Sequence, residues 1–163
     1  MLAEDELMCQ IVDSSDEMHS LGGSLATGLF DGLAIYLRGP LGAGKTTLVR
    51  GLIQSLGHVG SVKSPTYNLI ASYQTGGFCI HHFDLYRLGD PEELELIGVR
   101  DYFSADAVCL VEWPERGAAV LPPPDVTVFL DYQGHRRRLR AEGSTKRGGR
   151  LVHCWLQAAE ARV

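Results

Sequence analysis

Short apolar runs separated by turn residues recur along the chain and predict the strands of a sheet. The run at residues 107–111 is apolar at every position, which is typical of a strand buried on both faces. The other predicted strands cover residues 7–12, 33–37, 69–73, 78–83, 126–130 and 136–141. Turns at residues 75–77 and 133–134 join two pairs of these strands into antiparallel hairpins.

Apolar residues at helical spacing predict helices between these strands. The first helix begins with Ser14 or Ser15 as its N-cap and ends near residues 31–32. Its apolar stripe consists of Met18, Leu21, Leu25 and Leu29. The second helix follows the strand at residues 33–37 and stops at Gly57.

Two further helices are predicted in the second half of the chain. Asp90 is a favourable N-cap, Pro91 fits the first helical position, and Glu93 completes a capping box. This short helix stops around Gly98. Residues 143–149 are rich in glycine and cations and are predicted to form a loop. The helix after them has an apolar face of Leu151, Cys154, Trp155 and Ala158.

A glycine-rich stretch between the second predicted strand and the second helix has the spacing of a phosphate-binding loop, Gly, four residues, and Gly-Lys-Thr. Glycines let the backbone turn tightly and approach a polyphosphate, and the loop amides form a nest for anionic oxygens. The following helix adds its N-terminal dipole. The predicted nucleotide-binding residues of this loop are Gly39, Leu41, Gly42, Ala43, Gly44, Lys45, Thr46 and Thr47.

Together these elements predict an α/β fold. We expect residues 1–163 to form one three-layer P-loop NTPase-like domain, with a mixed, largely parallel central sheet flanked by helices and antiparallel hairpins. The predicted ligands are ATP and Mg²⁺. The chain has no Asn-Lys-x-Asp segment of the kind that small GTPases use to recognise guanine.

A Mg²⁺–nucleotide site also needs an acid near the Thr46 hydroxyl. Asp84 and Glu112 each follow an apolar strand, so both are expected at the edge of the sheet that carries the loop. The alternatives are a turn or cap residue for Asp84 and a solvated strand-end carboxylate for Glu112. Thr66 would lie on a flexible loop near the γ-phosphate, although an ordinary turn threonine after Pro65 is the favoured interpretation.

Charge is spread unevenly along the chain. The formal net charge of −5 argues against wholesale nucleic-acid binding. Residues 136–150 nevertheless carry seven of the fifteen basic residues. This segment forms either a basic face for a partner or a nucleotide, or a solvated edge strand guarded by arginines.

Cysteine spacing and hydropathy predict a cytoplasmic protein. The four widely spaced cysteines, Cys9, Cys79, Cys109 and Cys154, indicate buried free thiols without disulfides. No apolar run approaches the roughly 20 residues needed to span a bilayer. The start of the chain at residues 1–6 is acidic, unlike a signal peptide.

Several segments resemble, in order and spacing, those of the TsaE family. Besides the glycine loop they are residues 64–67 (Ser-Pro-Thr-Tyr), 82–88 (His-Phe-Asp-Leu-Tyr-Arg-Leu), 90–95 (Asp-Pro-Glu-Glu-Leu-Glu) and 112–115 (Glu-Trp-Pro-Glu). The glycine loop is shared by many families, so the Phe-Asp-Leu-Tyr-Arg and Glu-Trp-Pro blocks make the resemblance specific. It extends from about residue 7 to residue 132.

The resemblance implies a bacterial ATPase of tRNA threonylcarbamoyladenosine synthesis. Such proteins bind ATP with Mg²⁺ and hydrolyse it slowly when alone. They dock on a heterodimer of the transferase TsaD and its paralogue TsaB, and they reach tRNA only through that pair. ATP hydrolysis resets the transferase between cycles. A stand-alone small-molecule kinase and a non-catalytic nucleotide-binding adaptor are the alternative functions.

Matching positions carry the family's site residues over to this chain. The resemblance implies that Thr46 and Glu112 hold Mg²⁺ and that Lys45 binds the phosphates. It implies that Asp84 orients the catalytic water or the water shell of the metal, and it leaves open whether Asp84 or Glu112 is the general base. Three further positions near the nucleotide are implied, Thr66 on a switch-like loop, Glu115 and Arg136. Pro40 departs from the aspartate that is frequent in the family.

Overall fold

The structure is a computed structural model that describes residues 7–162. The acidic segment at residues 1–6 and the last residue of the predicted domain lie outside the described residues. Seven strands form one sheet in the order β1-β7-β6-β2-β5-β4-β3. Their bounds are β1 (Leu7–Val12), β2 (Ala34–Arg38), β3 (Ile70–Thr75), β4 (Phe78–Asp84), β5 (Ala107–Glu112), β6 (Val126–Gln133) and β7 (Arg136–Gly143).

The pairing pattern confirms the predicted mixed sheet with antiparallel hairpins. Strands β4, β5, β2 and β6 run parallel in a central block. Strand β3 pairs antiparallel with β4, and β7 pairs antiparallel with both β1 and β6. The turn between β6 and β7 lies at residues 134–135, one residue later than predicted, because Gln133 pairs with Arg136.

Helices pack on both faces of the sheet. The helices found in residues 7–162 are α1 (Ser15–Ser24), α2 (Lys45–Ser55), α3 (Glu92–Leu96), α4 (Val99–Tyr102) and α5 (Lys146–Glu160). On one face α1, α2 and α5 form a core in which Leu52 and Trp155 pack with Ile35 of the sheet. On the other face α3 and α4 pack against β2, β5 and β4, around Phe83 and Leu94. This arrangement confirms the predicted three layers.

The first helix ends earlier than its apolar stripe predicted. Ser14 caps α1 by accepting a hydrogen bond from the backbone N–H of Glu17 at 3.1 Å. The α-helix stops at Ser24, and a 3-10 turn follows at Leu25–Gly28. The hydroxyls of Ser24 and Thr27 donate to backbone carbonyls three residues earlier, and such local bonds compete with continuation of the helix.

The prediction of a loop at residues 143–149 is wrong in its second half, because α5 begins at Lys146. Thr145 caps this helix and accepts a hydrogen bond from the N–H of Gly148 at 3.0 Å. A Cβ on Gly148 would lie 2.0 Å from the carbonyl oxygen of Asp125, so this glycine marks a close contact and not a break. Leu151 and Trp155 are buried as predicted, and Val152 and Ala159 complete the buried face. Cys154 is exposed and Ala158 half-buried.

Two smaller predictions also need correction. Helix α3 begins at Glu92 with Pro91 in the N-cap position, and the carboxylate of Asp90 accepts a hydrogen bond from the Glu92 N–H at 2.9 Å. The capping residue is therefore one position further from the helix than predicted. All four cysteines are free, but only Cys109 is buried, since Cys9 and Cys154 are exposed and Cys79 is half-buried. None of the helices in the described range is long and apolar enough to cross a membrane.

Helices α1 and α2 approach each other so closely that their backbones touch. A Cβ on Gly22 would lie 2.0 Å from the carbonyl oxygen of Leu48. In return, a Cβ on Gly51 would lie 1.9 Å from the carbonyl oxygen of His19. Each helix therefore needs a glycine where the other helix crosses it.

We expect Gly22→Ala to destabilise the protein by about 1–3 kcal/mol, because the added methyl group overlaps a backbone oxygen that cannot move independently of α2. Gly23→Ala is the matched control. Its Cβ would lie 3.5 Å from the Cβ of Ser55, an ordinary contact, and alanine favours the helix. Urea denaturation of both variants measures the difference. Equal stabilities would contradict the close contact.

Candidate functional site

The glycine loop connects the end of β2 to the start of α2, at the carboxyl edge of the parallel strands. Gly42 and Gly44 have φ angles of 76° and 109°, which side chains other than glycine rarely adopt. Gly44 occupies the N-cap position of α2. The glycine loop therefore leads directly into the helix N-terminus, the arrangement that is typical of a phosphate-binding site.

A cleft of about 370 Å³ opens beside this loop. Most predicted site residues line it, namely Leu41, Gly42, Ala43, Gly44, Lys45, Thr46, Thr47, Thr66, Asp84 and Glu112. Ser64, Tyr86, Arg87 and Trp113 complete the lining. The structure thus brings together residues from the loop, from the ends of β4 and β5, and from the segment before β3.

The ammonium group of Lys45 lies folded against the loop. Its Nζ donates to the carbonyl oxygens of Gly39 at 2.5 Å and Pro40 at 3.0 Å, and it lies 4.3 Å from the ring centre of Trp113. The pKa of Lys45 is lowered, because the effect of burial is larger than the opposing effect of the carboxylates of Glu112, Asp84 and Glu115. Gly39 takes part in the site through this carbonyl and does not line the cleft.

Glu112 is hydrogen-bonded to the loop helix. The hydroxyl of Thr46 donates to Oε2 of Glu112 at 2.9 Å and to Oε1 at 3.1 Å. Glu112 is only 3% exposed. The hydroxyl and the carboxylate are two of the three side chains predicted to contact Mg²⁺ or its water shell, Asp84 being the third, and the structure places these two in direct contact.

His82 contacts the same carboxylate and had no role in the sequence-based hypothesis. Its Nε2 lies 2.6 Å from Oε2 of Glu112, and its side chain is fully buried. Because a carboxylate only accepts hydrogen bonds, Nε2 carries the proton of this bond. Nδ1 of His82 is buried and has no partner within residues 7–162. His82 therefore fixes the position of the Glu112 side chain.

Strand alternation contained a partial signal for His82. His82 and Asp84 are two residues apart on β4, so their side chains share one face. Asp84 is the register partner of Glu112 on β5, which brings His82 close to the same carboxylate. The sequence gives the alternation but not the register between β4 and β5.

Asp84 lies next to Glu112 but has different partners. The hydroxyl of Ser64 donates a short hydrogen bond to Oδ2 of Asp84. The backbone N–H of Tyr86 donates to Oδ1 at 3.0 Å. Asp84 is 5% exposed and lines the cleft. The two acids are thus held separately, Glu112 by the loop helix and His82, and Asp84 by the segment at residues 64–67.

That segment also brings Thr66 into the cleft. The Oγ1 of Thr66 is buried and has no hydrogen-bond partner in the described part of the chain. The next residue, Tyr67, is 80% exposed. The guanidinium of Arg87 stacks on the Tyr67 ring at 4.5 Å and also lines the cleft.

Besides Gly39, two predicted residues lie outside this cleft, Glu115 and Arg136. Glu115 approaches Arg38 at 3.9 Å on the surface. Arg136 forms an ion pair with Asp13 at 2.7 Å. Asp13 belongs to a second cleft of about 260 Å³ on the other side of the glycine loop, which His135 and Arg137 also line.

The cleft fits a nucleotide with Mg²⁺. Three loop positions, Gly39, Gly42 and Gly44, require glycine, an 11-residue helix begins at the loop, and Thr66, whose buried hydroxyl has no partner among the described residues, lines the same cleft. No group of three or more His, Cys, Asp or Glu side chains in residues 7–162 is placed to hold a metal by itself. Mg²⁺ matches this site because it commonly takes one or two protein ligands together with water and phosphate oxygens.

The sheet topology and the glycine loop define a P-loop NTPase-like α/β fold, the class that the sequence predicted. A family model described as "Threonylcarbamoyl adenosine biosynthesis protein TsaE" matches residues 12–140. The chain belongs to the TsaE family, which confirms the resemblance found in the sequence.

Relatives support this family across most of the chain. A "tRNA threonylcarbamoyladenosine biosynthesis protein TsaE" from Haemophilus influenzae is 51% identical over 120 residues, covering 74% of this chain and 76% of that protein. The protein of the same name from Bacillus subtilis is 37% identical over 107 residues and 66% of each chain.

A crystal structure shares the fold. Bacillus subtilis YdiB superimposes with a TM-score of 0.80 over 96% of this chain and 97% of its own, at 23% identity. At this identity the match supports the fold alone.

We expect His82→Leu to weaken the Mg²⁺-dependent part of ATP binding roughly tenfold, as removal of a residue that orients a metal ligand commonly does. Leucine cannot donate to Glu112, whereas His82→Gln keeps an N–H close to the position of Nε2. Fluorescence titration of a labelled ATP analogue, with Mg²⁺ and with EDTA, measures this effect. If His82→Gln loses as much as His82→Leu, the hydrogen bond is not the cause.

Proposed function

We propose that this chain binds ATP and hydrolyses it slowly with Mg²⁺, as the regulatory subunit of an assembly that makes threonylcarbamoyladenosine in tRNA. In this proposal its partners are the transferase TsaD and the paralogue TsaB, and tRNA is reached only through that pair. The observation that carries the ATPase proposal is the contact of Thr46 with Glu112 beside the glycine loop. Family membership supports the role in the assembly.

Phosphate binding falls to the loop and its lysine. The amides of the loop and of the first turn of α2 offer donors to the anionic oxygens. Lys45 already lies among the loop carbonyls, and charged phosphate oxygens are stronger acceptors for its ammonium group than those carbonyls. The partial burial of Lys45 strengthens such a charge pair, because less water screens it.

Metal binding falls to Thr46 and Glu112. The Thr46 hydroxyl would bind Mg²⁺, and Glu112 would hold it directly or through a water molecule. Bound Mg²⁺ neutralises charge on the phosphates during phosphoryl transfer. The hydrogen bond from His82 keeps the carboxylate of Glu112 aimed at Thr46 throughout.

Asp84 is the residue that we propose to orient the attacking water. Its carboxylate lines the cleft and is bound by Ser64 and by the backbone of Tyr86, neither of which supplies a charge. Glu112 already accepts three contacts, two from the Thr46 hydroxyl and one from Nε2 of His82, whereas Asp84 accepts two. Asp84 therefore has more free acceptor capacity for a water molecule than Glu112 does.

Residues at the exposed edge of the cleft support the proposal that ATP turnover depends on a protein partner. Tyr67 projects into solvent, and Arg87 couples it to the cleft by stacking on its ring. A partner that binds Tyr67 would also reposition Arg87, a cation suited to stabilising charge on the transferring phosphoryl group. This coupling is a reason for turnover to be slow in the isolated chain.

We expect ATP hydrolysis at fixed Mg²⁺ to be slow for the purified chain and to rise at least severalfold when the TsaD–TsaB pair is added. A partner that completes a phosphoryl-transfer site is the physical reason. Steady-state phosphate release measures both rates. Failure to bind the pair, with an unchanged rate, would remove the assembly from the proposal. Rapid ATP consumption that requires a small-molecule acceptor and no protein would favour a kinase instead.

Substitutions of Glu112 and Asp84 are predicted to affect different steps, ATP binding and ATP hydrolysis respectively. Glu112→Gln should weaken Mg²⁺-dependent ATP binding, because it removes the negative charge beside Thr46. Asp84→Asn should leave that binding within about twofold of the wild type and lower hydrolysis by roughly a hundredfold, a usual loss for a base or water-orienting group. Binding titrations and phosphate release with the TsaD–TsaB pair test both. The reverse pattern would exchange the two roles.

A further inference from the structure

One half of the second sheet face carries no helix in the part of the chain that the structure describes. Helices α1, α2 and α5 cover the first face across the sheet, and α3 and α4 cover the second face over β2, β5 and β4. The second face of β1, β7 and β6 is left open. Its main side chains, called the open face below, are Leu7, Ile11, Phe129, Arg136, Arg138 and Arg140.

Strand register places apolar and basic side chains of the open face in adjacent rows. Ile11 on β1 is the register partner of Arg138 on β7. Arg140 is the partner of Phe129 on β6, and its guanidinium stacks over that ring at 4.3 Å. Leu7 and Ile11 are 39% and 44% exposed, which is high for leucine and isoleucine within a strand.

The arginines differ in what holds them. Arg140 is paired with Glu142 on its own strand, and Arg136 is paired with Asp13. Arg138 is exposed and forms no ion pair or hydrogen bond with any described residue. Its register partner on β6, Asp131, carries a carboxylate but does not bind it. Among residues 7–162, Arg138 is thus a cation without a bound acid, in the middle of a partly apolar face.

The mixture of groups favours a protein over a nucleic acid as the occupant. Asp131 and Glu142 lie on the same face and would repel a phosphate backbone. The Phe129 ring is covered by Arg140 and is not open for stacking on a base, which single-stranded nucleic-acid sites use. Leu7 and Ile11 offer aliphatic contact, which a phosphate backbone does not match. A protein surface that places one carboxylate among apolar side chains complements Arg138, Ile11 and Leu7 without bringing a row of negative charges against Asp131 and Glu142.

We infer that the open face docks a protein partner that presents a carboxylate among apolar side chains, with Arg138 as the central cation of the contact. A guanidinium binds a carboxylate through two parallel hydrogen bonds, so Arg138 would supply orientation as well as attraction. Ile11 beside it would exclude water from that pair. This surface is separate from the nucleotide cleft.

The test rests on the proposed function, since it uses the TsaD–TsaB pair as the probe. Arg138→Glu should weaken binding of the pair roughly tenfold, because the reversed charge meets a carboxylate. Arg150→Glu is the matched control, an equal charge change at an exposed position on α5. It should change binding less than twofold. Titration calorimetry at two salt concentrations measures the affinities, and melting temperatures verify that both variants are folded.

The outcomes separate the two proposals. A loss with Arg138→Glu alone supports the docking surface. If the wild-type chain binds the pair and both variants bind it equally well, the docking surface is overturned while the proposed function stands. If the wild-type chain does not bind the pair, both fall. If filter binding with unmodified tRNA shows that Arg138→Glu loses tRNA binding and keeps the pair, the occupant is nucleic acid and the inference is wrong.

Discussion

The hydrogen bond between Thr46 and Glu112 joins the two parts of the molecule that matter most to the candidate site. Thr46 belongs to the first turn of α2, directly after the glycine loop, and Glu112 ends the buried strand β5. Because β2 and β5 are parallel neighbours, their carboxyl ends meet at one edge of the sheet. His82 reaches the same carboxylate from β4, the next parallel strand. The site therefore depends on three strands being in register, and a slip of any one would separate the hydroxyl, the carboxylate and the imidazole.

The sequence was sufficient where chemistry is concentrated in one short segment. The loop, its lysine and its threonine are contiguous, and the two acids each follow an apolar strand, so their convergence could be predicted. His82 and Ser64 could not be found in this way. Their importance depends on which residue they meet across the sheet or across a loop, and that is fixed by register and packing. Arg136 stays a prediction, since the position matched to the nucleotide by resemblance forms an ion pair with Asp13 in this structure.

Glycine misled the prediction of helices for a physical reason. The glycines of residues 143–149 favour a loop by their propensity, but Gly148 lies inside α5 at a point where the carbonyl oxygen of Asp125 leaves no space for a Cβ. Gly22 weakens the helical pattern of α1 and yet is required where α2 crosses. The sequence shows that these glycines have a low helix propensity. It does not show the close backbone contacts that require them, because the contacting residues are distant in the chain. The early end of α1, by contrast, comes from local hydroxyl bonds of Ser24 and Thr27.

The close contacts of Gly22 with Leu48 and of Gly51 with His19 also affect how movement is transmitted. Two helices separated by flexible side chains can shift slightly against each other. Here the backbones of α1 and α2 are in contact, so we expect the two helices to move as one rigid unit. One end of this unit is Lys45, at the phosphate loop. Another end is Ser14, the N-cap of α1. The neighbouring Asp13 forms an ion pair with Arg136 on β7. We therefore expect a small rotation of α2 at the loop to move α1 with it. The movement would reach β1 and β7, at the edge of the sheet opposite the β3–β4 hairpin.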